Sequence, residues 1–235
     1  MRVTTILFDL DGTLLPMDQE TFIRAYFGGL AAKLAPYGYE TKKLIGGIYA
    51  GIDAMVRNDG GCRNEEAFWR AFCGIFGDKA LEDKPVFEEF YGKEFQRVKE
   101  SCGFALQAAP LVRRLRERGF RVVLATNPLF PAVATESRIR WAGLDPSDFD
   151  WVTTYENSCY CKPNPAYYQE ILDKLGLDAG ECVMVGNDVQ EDGAAAKLGM
   201  RVFYLTDCLI NKESKDLTDT PHGSFDALEA YLKAQ

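Results

Sequence analysis

The spacing of apolar positions changes along the chain and divides it into parts. Val3 to Phe8, ending in the apolar run Ile6-Leu7-Phe8, predicts a buried strand. Behind it, residues 19–35, 41–57, 64–76 and 86–99 carry apolar residues at mixed spacings of three and four, which predicts helices. Asp18 and Asn64 are placed to cap two of them. The pairs Gly28-Gly29, Gly46-Gly47 and Gly60-Gly61 are expected to interrupt or end these segments. From about residue 108 the pattern alternates. Helices are expected at Pro110 to Arg118, Pro131 to Ala142, Pro165 to Leu175, Gln190 to Leu198 and Phe225 to Lys233. Strands are expected between them at Phe120 to Ala125, Trp151 to Thr154, Cys182 to Val185 and Arg201 to Leu205. Strand alternating with helix means parallel βαβ units with right-handed crossovers.

The predicted fold class is therefore α/β: a doubly wound parallel sheet, a Rossmann-like core, with an inserted all-α cap. The core is expected over residues 1–16 and 105–235 and the helical cap over 17–104. A helical segment spliced in directly after the first strand would sit over that strand's end like a lid. Such a lid argues for small substrates and against large protein ones.

Composition narrows the function classes. Of 235 residues, 47% are hydrophobic, enough for a real core. The formal net charge is -8 and no Lys/Arg-rich run stands out, which argues against a nucleic-acid backbone or an anionic membrane as partner. No stretch approaches the roughly 18 apolar residues of a membrane span, and the N-terminus runs straight into a strand with no signal-peptide pattern. The seven cysteines are scattered, so reduced thiols are expected rather than a disulfide framework. Together these predict a cytoplasmic protein. The single histidine, His222, lies in an expected surface loop, so a His-rich metal site is excluded and a Ser-His-Asp hydrolase would have to use that one residue.

The chemistry lies at the strand ends. Strand one runs into Asp9-Leu10-Asp11-Gly12-Thr13. Taken alone, Asp11-Gly12 reads equally as a turn or as part of a site. Two carboxylates one residue apart at the carboxyl edge of a parallel sheet favour a divalent cation or proton transfer. The strand at Phe120 delivers Thr126-Asn127, a hydroxyl with following backbone N–H groups suited to an anionic oxygen. Lys162, held in extended backbone before Pro163, can supply a compact positive charge. The strand at Cys182 delivers Gly186-Asn187-Asp188 and, four residues on, Asp192. Each is ordinary alone. In this order, each at a strand end, they supply a nucleophile, an anion cradle, a charge clamp and metal ligands.

These four segments resemble the four motifs of the haloacid dehalogenase-like (HAD) superfamily, most of whose members are Mg²⁺-dependent phosphohydrolases. The insertion between the first two resembles the family's C1-type helical cap. The resemblance implies that Asp9 attacks phosphorus to form an aspartyl-phosphate and that Asp11 is the general acid and base. It implies that Thr126, Asn127 and Lys162 bind the phosphoryl group. Asp9, the backbone carbonyl of Asp11, and Asp188 would hold Mg²⁺. Asn187 is an alternative or added ligand, and Asp192 would orient Lys162 or a metal-bound water. The implied substrate is a small phosphorylated metabolite. A sugar phosphomutase, a dehalogenase and a catalytically silent binding protein on the same scaffold stay open as alternatives. Phe22, Tyr26, Arg57 and Asn58 are candidates for substrate selection from the cap, although the first two fit core positions and Arg57 a solvated face.

Overall fold

A computed structural model describes residues 2–234 of the chain. Strand β1, Thr5–Phe8, is followed by five helices: α1 (Gln19–Leu34), α2 (Thr41–Val56), α3 (Asn64–Phe76), the single turn α4 (Lys79–Glu82) and α5 (Lys84–Gly92). The core resumes with α6 (Ala108–Glu117), β2 (Arg121–Leu124), α7 (Ala132–Trp141), β3 (Trp151–Val152) and α8 (Pro165–Leu175). It ends with β4 (Cys182–Gly186), β5 (Arg201–Leu205), β6 (His222–Gly223) and α9 (Phe225–Lys233). The six strands form one sheet in the order β3-β2-β1-β4-β5-β6, with every pairing parallel. This is the expected doubly wound α/β core with helices inserted after its first strand.

Apart from Thr5 and Arg121 at their starts, the central strands β1, β2 and β4 are apolar because both faces are covered. Ile6, Phe8, Val122, Leu124, Val183 and Val185 belong to one core cluster, shared with α6 and α9. Their alternating neighbours Leu7, Val123 and Met184 belong to the other, with Tyr167, Tyr168 and Ile171 of α8. Side chains at alternate positions of a strand point to opposite faces, so one short strand serves both layers.

Several boundaries differ from the sequence reading. The expected helix over 86–99 is α5 followed by a 3₁₀ segment over Glu94–Ser101, and residues 192–198 are also 3₁₀. Gly28-Gly29 and Gly46-Gly47 lie inside helices instead of breaking them. The reason in α2 is close packing: a Cβ on Gly47 would come within 2.6 Å of Phe76, and one on Gly51 within 2.3 Å of Phe68. Asn64 does not cap α3 from outside but is its first residue, with Arg63 at the cap position. Its buried side chain is used elsewhere, accepting from Asn58 Nδ2 at 2.9 Å and donating to the Tyr160 carbonyl at 3.2 Å. That ties the inserted helices to the loop leading into Lys162. β3 is two residues long because the backbone N–H of Thr154 turns to Asn157 Oδ1 at 2.9 Å. No described helix is long and apolar enough to cross a membrane.

Candidate active site

β1 pairs with β2 on one side and β4 on the other, so the strand order reverses beside β1. In open α/β sheets the crevice beyond the strand ends at such a point is where ligands bind. Phe8 lies level with Leu124 and Val185, so β1 and β2 end together and β4 one residue further on. Asp9 and Asp11 leave β1 there, Thr126 and Asn127 leave β2, and Asn187 and Asp188 leave β4. All six line a cavity of about 250 Å³ beneath α1, α2, α3 and α5.

Lys162 lies just behind this floor, fully buried, with Nζ 2.8 Å from Asp9 Oδ1 and 2.7 Å from Asp192 Oδ1. Burial alone would push the ammonium towards its neutral form. Asp192 and Asp9 outweigh burial and hold the Lys162 pKa well above the usual lysine range. Burial pushes the carboxyls of Asp9 and Asp192 up, and Lys162 opposes that rise. The second oxygen of Asp192 accepts the backbone N–H groups of Asn187 and Asp188, both at 2.9 Å. One carboxylate thus fixes both the lysine and the loop after β4.

The remaining polar groups are tied in with it. Thr13 Oγ1 lies 3.2 Å from Asp9 Oδ2 and 3.0 Å from Asn187 Oδ1. Asn187 also donates from Nδ2 to the Cys208 carbonyl at 2.8 Å, so both ends of its side chain are engaged. Asp188 Oδ1 accepts from the backbone N–H groups of Gln190 and Glu191 at 2.8 and 2.9 Å. Asn127 Oδ1 accepts the Lys162 backbone N–H at 3.2 Å, joining the second and third segments. The carbonyl of Thr126 is fixed by the hydroxyls of Thr153 and Tyr167, at 2.7 and 2.8 Å. Among the described residues, the backbone N–H groups of Asp11 and Asn127 donate to no protein group.

Gly12 is required by its surroundings. Its φ is +85°, and a Cβ there would stand 2.3 Å from Asn187 Nδ2. Gly12→Ala is expected to cost about 1–3 kcal/mol from the backbone conformation and the collision. Urea unfolding measures that loss, and turnover should fall as the β1 and β4 loops are pushed apart.

Two functional candidates escaped the sequence reading. Arg138 of α7 is buried and forms an ion pair from Nη1 to Asp11 Oδ2, with its guanidinium 4.4 Å above the Phe130 ring. Its neighbours Ala134, Thr135 and Trp141, at helical spacings of three and four, are all buried, which is the signal that this arginine faces inward. Glu191 lines the cavity and accepts from Asn127 Nδ2 at 3.1 Å. Burial pushes its carboxyl up to about 7.

Of the cap candidates, Phe22 and Tyr26 line the cavity; Arg57 and Asn58 do not. Arg57 is exposed and pairs with Asp53 at 3.1 Å, while Asn58 is consumed by Asn64. His222 is exposed on β6 and takes no part in the cavity.

The residues fit a hard divalent cation. Among the described residues no group of three or more His, Cys, Asp or Glu side chains is arranged to hold a metal. Mg²⁺ needs fewer: it is commonly held by one or two carboxylates and keeps several waters. Asp9 and Asp188 offer two carboxylates; among the described residues, Asp188 Oδ2 has no hydrogen-bond partner and Asp11 Oδ1 is buried without one. The available donors are all oxygens.

A parallel α/β sheet whose switch point carries this carboxylate–lysine cluster under a helical lid defines the class of protein. The chain belongs to the haloacid dehalogenase-like hydrolases, whose family model matches residues 3–199. It is 28% identical over 202 residues to a phosphoglycolate phosphatase of Pectobacterium atrosepticum, covering 86% of this chain and 79% of that protein. It is 24% identical over 200 residues to the pyrophosphatase PpaX of Bacillus velezensis, covering 85% and 82%. Its fold matches the magnesium-bound HAD hydrolase YfnB of Bacillus subtilis with a TM-score of 0.57, at 17% identity over 99% of this chain and 100% of that one. The chain is an enzyme of this family, and the two sequence relatives are phosphatases.

Proposed function

We propose that this protein hydrolyses the phosphate monoester of a small metabolite with Mg²⁺, through a phosphoenzyme on Asp9, and that residues 17–104 act as its cap. The observation that carries the reading is the buried Lys162 bridging Asp9 and Asp192 behind a cavity floor shared with Asp11 and Asp188. A carboxylate nucleophile needs a dry, positively compensated position, and Lys162 supplies it.

A carboxylate oxygen of Asp9 forms a bond to phosphorus while the bond to the ester oxygen breaks. That oxygen takes a proton from Asp11. With Oδ2 held by Arg138, the proton rides on Oδ1, the oxygen without a protein partner. Asp11 Oδ1 then takes a proton from water, whose oxygen attacks phosphorus and releases phosphate and free Asp9. The Thr126 hydroxyl and the unpaired N–H groups of Asp11 and Asn127 bind phosphoryl oxygens. Mg²⁺ would be held by Asp9, the Asp11 carbonyl and Asp188, where it offsets repulsion between carboxylate and phosphate and stabilises the transferring charge.

Inorganic phosphate release from a panel of phosphorylated metabolites tests this reading. Release with Mg²⁺ and its loss on chelation are expected; metal-independent turnover or silence towards every ester contradicts it. Arg138→Met separates positioning from binding. It is expected to lower kcat by roughly 10²-fold, within the span of acid–base contributions, with KM little changed, because Arg138 orients Asp11 rather than substrate. Steady-state kinetics on the folded variant check the split.

A further inference from the structure

The cavity above the strand ends has a lining unsuited to a second charged group. Among the described residues, none that lines it is Lys, Arg or His. The two nearby cations are already engaged, Lys162 by Asp9 and Asp192 and Arg138 by Asp11. Every charged residue lining the cavity is a carboxylate, and all but Glu88 belong to the strand-end cluster. Glu88 itself is exposed. A carboxylate or second phosphate on the substrate would find no partner here, and the surrounding acids would repel it.

What the helices do supply is apolar. Phe22, Phe68, Trp69 and Phe87 are buried and line the cavity, joined by Ile48 and by Phe130 from the loop before α7. Polar recognition in this upper part is sparse. The Tyr26 and Tyr91 hydroxyls lie 2.8 Å apart, so one donates to the other, and the remaining uncharged polar groups there are the Tyr49 and Tyr155 hydroxyls, the Gln19 amide and the Trp69 indole N–H. A sugar phosphate would bring several hydroxyls against a mainly apolar lining, at a cost for each one left unpaired on burial. An ammonium group suits aromatic faces, but the one lining carboxylate away from the strand ends, Glu88, is exposed, so the cation would be buried without a paired charge.

Resting on the phosphatase reading, we infer that the substrate is the phosphate monoester of an uncharged, largely apolar alcohol, aromatic or branched aliphatic. The aromatic chamber takes the carbon body and the strand ends take the phosphate. The cavity, at about 250 Å³, is close to the lower end of the roughly 300–1,000 Å³ typical of small-ligand sites, so that body is compact.

The test compares kcat/KM for phenethyl phosphate, ethyl phosphate, phosphoglycolate, pyrophosphate and phosphocholine with the Mg²⁺-loaded protein. Burying the phenyl ring is expected to favour phenethyl over ethyl phosphate by about 10²-fold. The three substrates with an added charge are expected to fall at or below ethyl phosphate. Ile23→Arg, at a half-exposed lining position, is expected to raise phosphoglycolate relative to phenethyl phosphate. A flat ranking, or any charged substrate above phenethyl phosphate, overturns the inference while leaving the phosphatase reading standing. No phosphate from any of the five overturns both.

Discussion

Asp9→Asn is expected to lower turnover of any phosphate ester by at least ~10⁴-fold, because an amide cannot form the phosphoenzyme. The protein should stay folded. Asn is nearly isosteric, its carbonyl oxygen can still accept from Lys162, and the ammonium keeps Asp192 at 2.7 Å. Far-UV circular dichroism and urea unfolding establish that the variant is intact, and phosphate release measures the loss. A residual rate within tenfold of the parent would remove Asp9 from the chemistry.

Lys162→Met carries the largest expected effect on stability. The lysine is fully buried between two carboxylates, one of them almost completely buried itself. Removing it leaves those charges uncompensated, which costs about 3–5 kcal/mol when one partner of a buried pair is lost. The deficit should depend on pH. Burial already pushes the carboxyls of Asp9 and Asp192 up, and the substitution removes the group that opposes this. A carboxyl with a raised folded-state pKa contributes fully below its unfolded value and loses that contribution as pH rises through the folded one. The gap between variant and parent should therefore widen from acid towards neutral pH. Chemical unfolding of both proteins across that range checks the sign. Activity falls as well, since the nucleophile loses its compensating charge.

The fold and the convergence of the candidate site residues were largely legible because each announces itself through local pattern. An apolar strand followed at once by acids, a hydroxyl, a prolyl-flanked lysine or Gly-Asn-Asp marks a ligand edge whatever the tertiary packing. Asp9, Asp11, Thr126, Asn127, Asn187 and Asp188 indeed line one cavity, with Lys162 and Asp192 bonded to its floor. Arg138 was obscured by its neighbour Arg140, which is exposed and paired with Glu136 one turn back, the pattern of a solvated helix face. The apolar neighbours of Arg138 at spacings of three and four mark its face as inward, but only the tertiary partner, Asp11, gives it a role. Glu191 likewise reads as a first-turn acid, and its raised carboxyl comes from burial that no local pattern reports.

The inserted helices were legible as helices but not in their packing. Gly28-Gly29 and Gly46-Gly47 carry the signature of breaks, yet both pairs lie within helices. In α2 the missing side chain at Gly47 makes room for the aromatics of α3. Whether a glycine ends a helix or admits a neighbour depends on that neighbour. The 3₁₀ segments over Glu94–Ser101 and Asp192–Leu198 escaped for a related reason. Their hydrogen bonds shift by one residue from α-helical ones without changing which residue types are apolar.

Acid quench of a single turnover, followed by peptide mapping, tests the central claim most directly. With a radiolabelled phosphate ester and Mg²⁺, label is predicted on the N-terminal peptide that contains Asp9, forming and decaying at rates compatible with phosphate release. The Asp9→Asn protein should carry none. Label on a different residue, or full turnover without labelled protein at any quench time, would contradict the account.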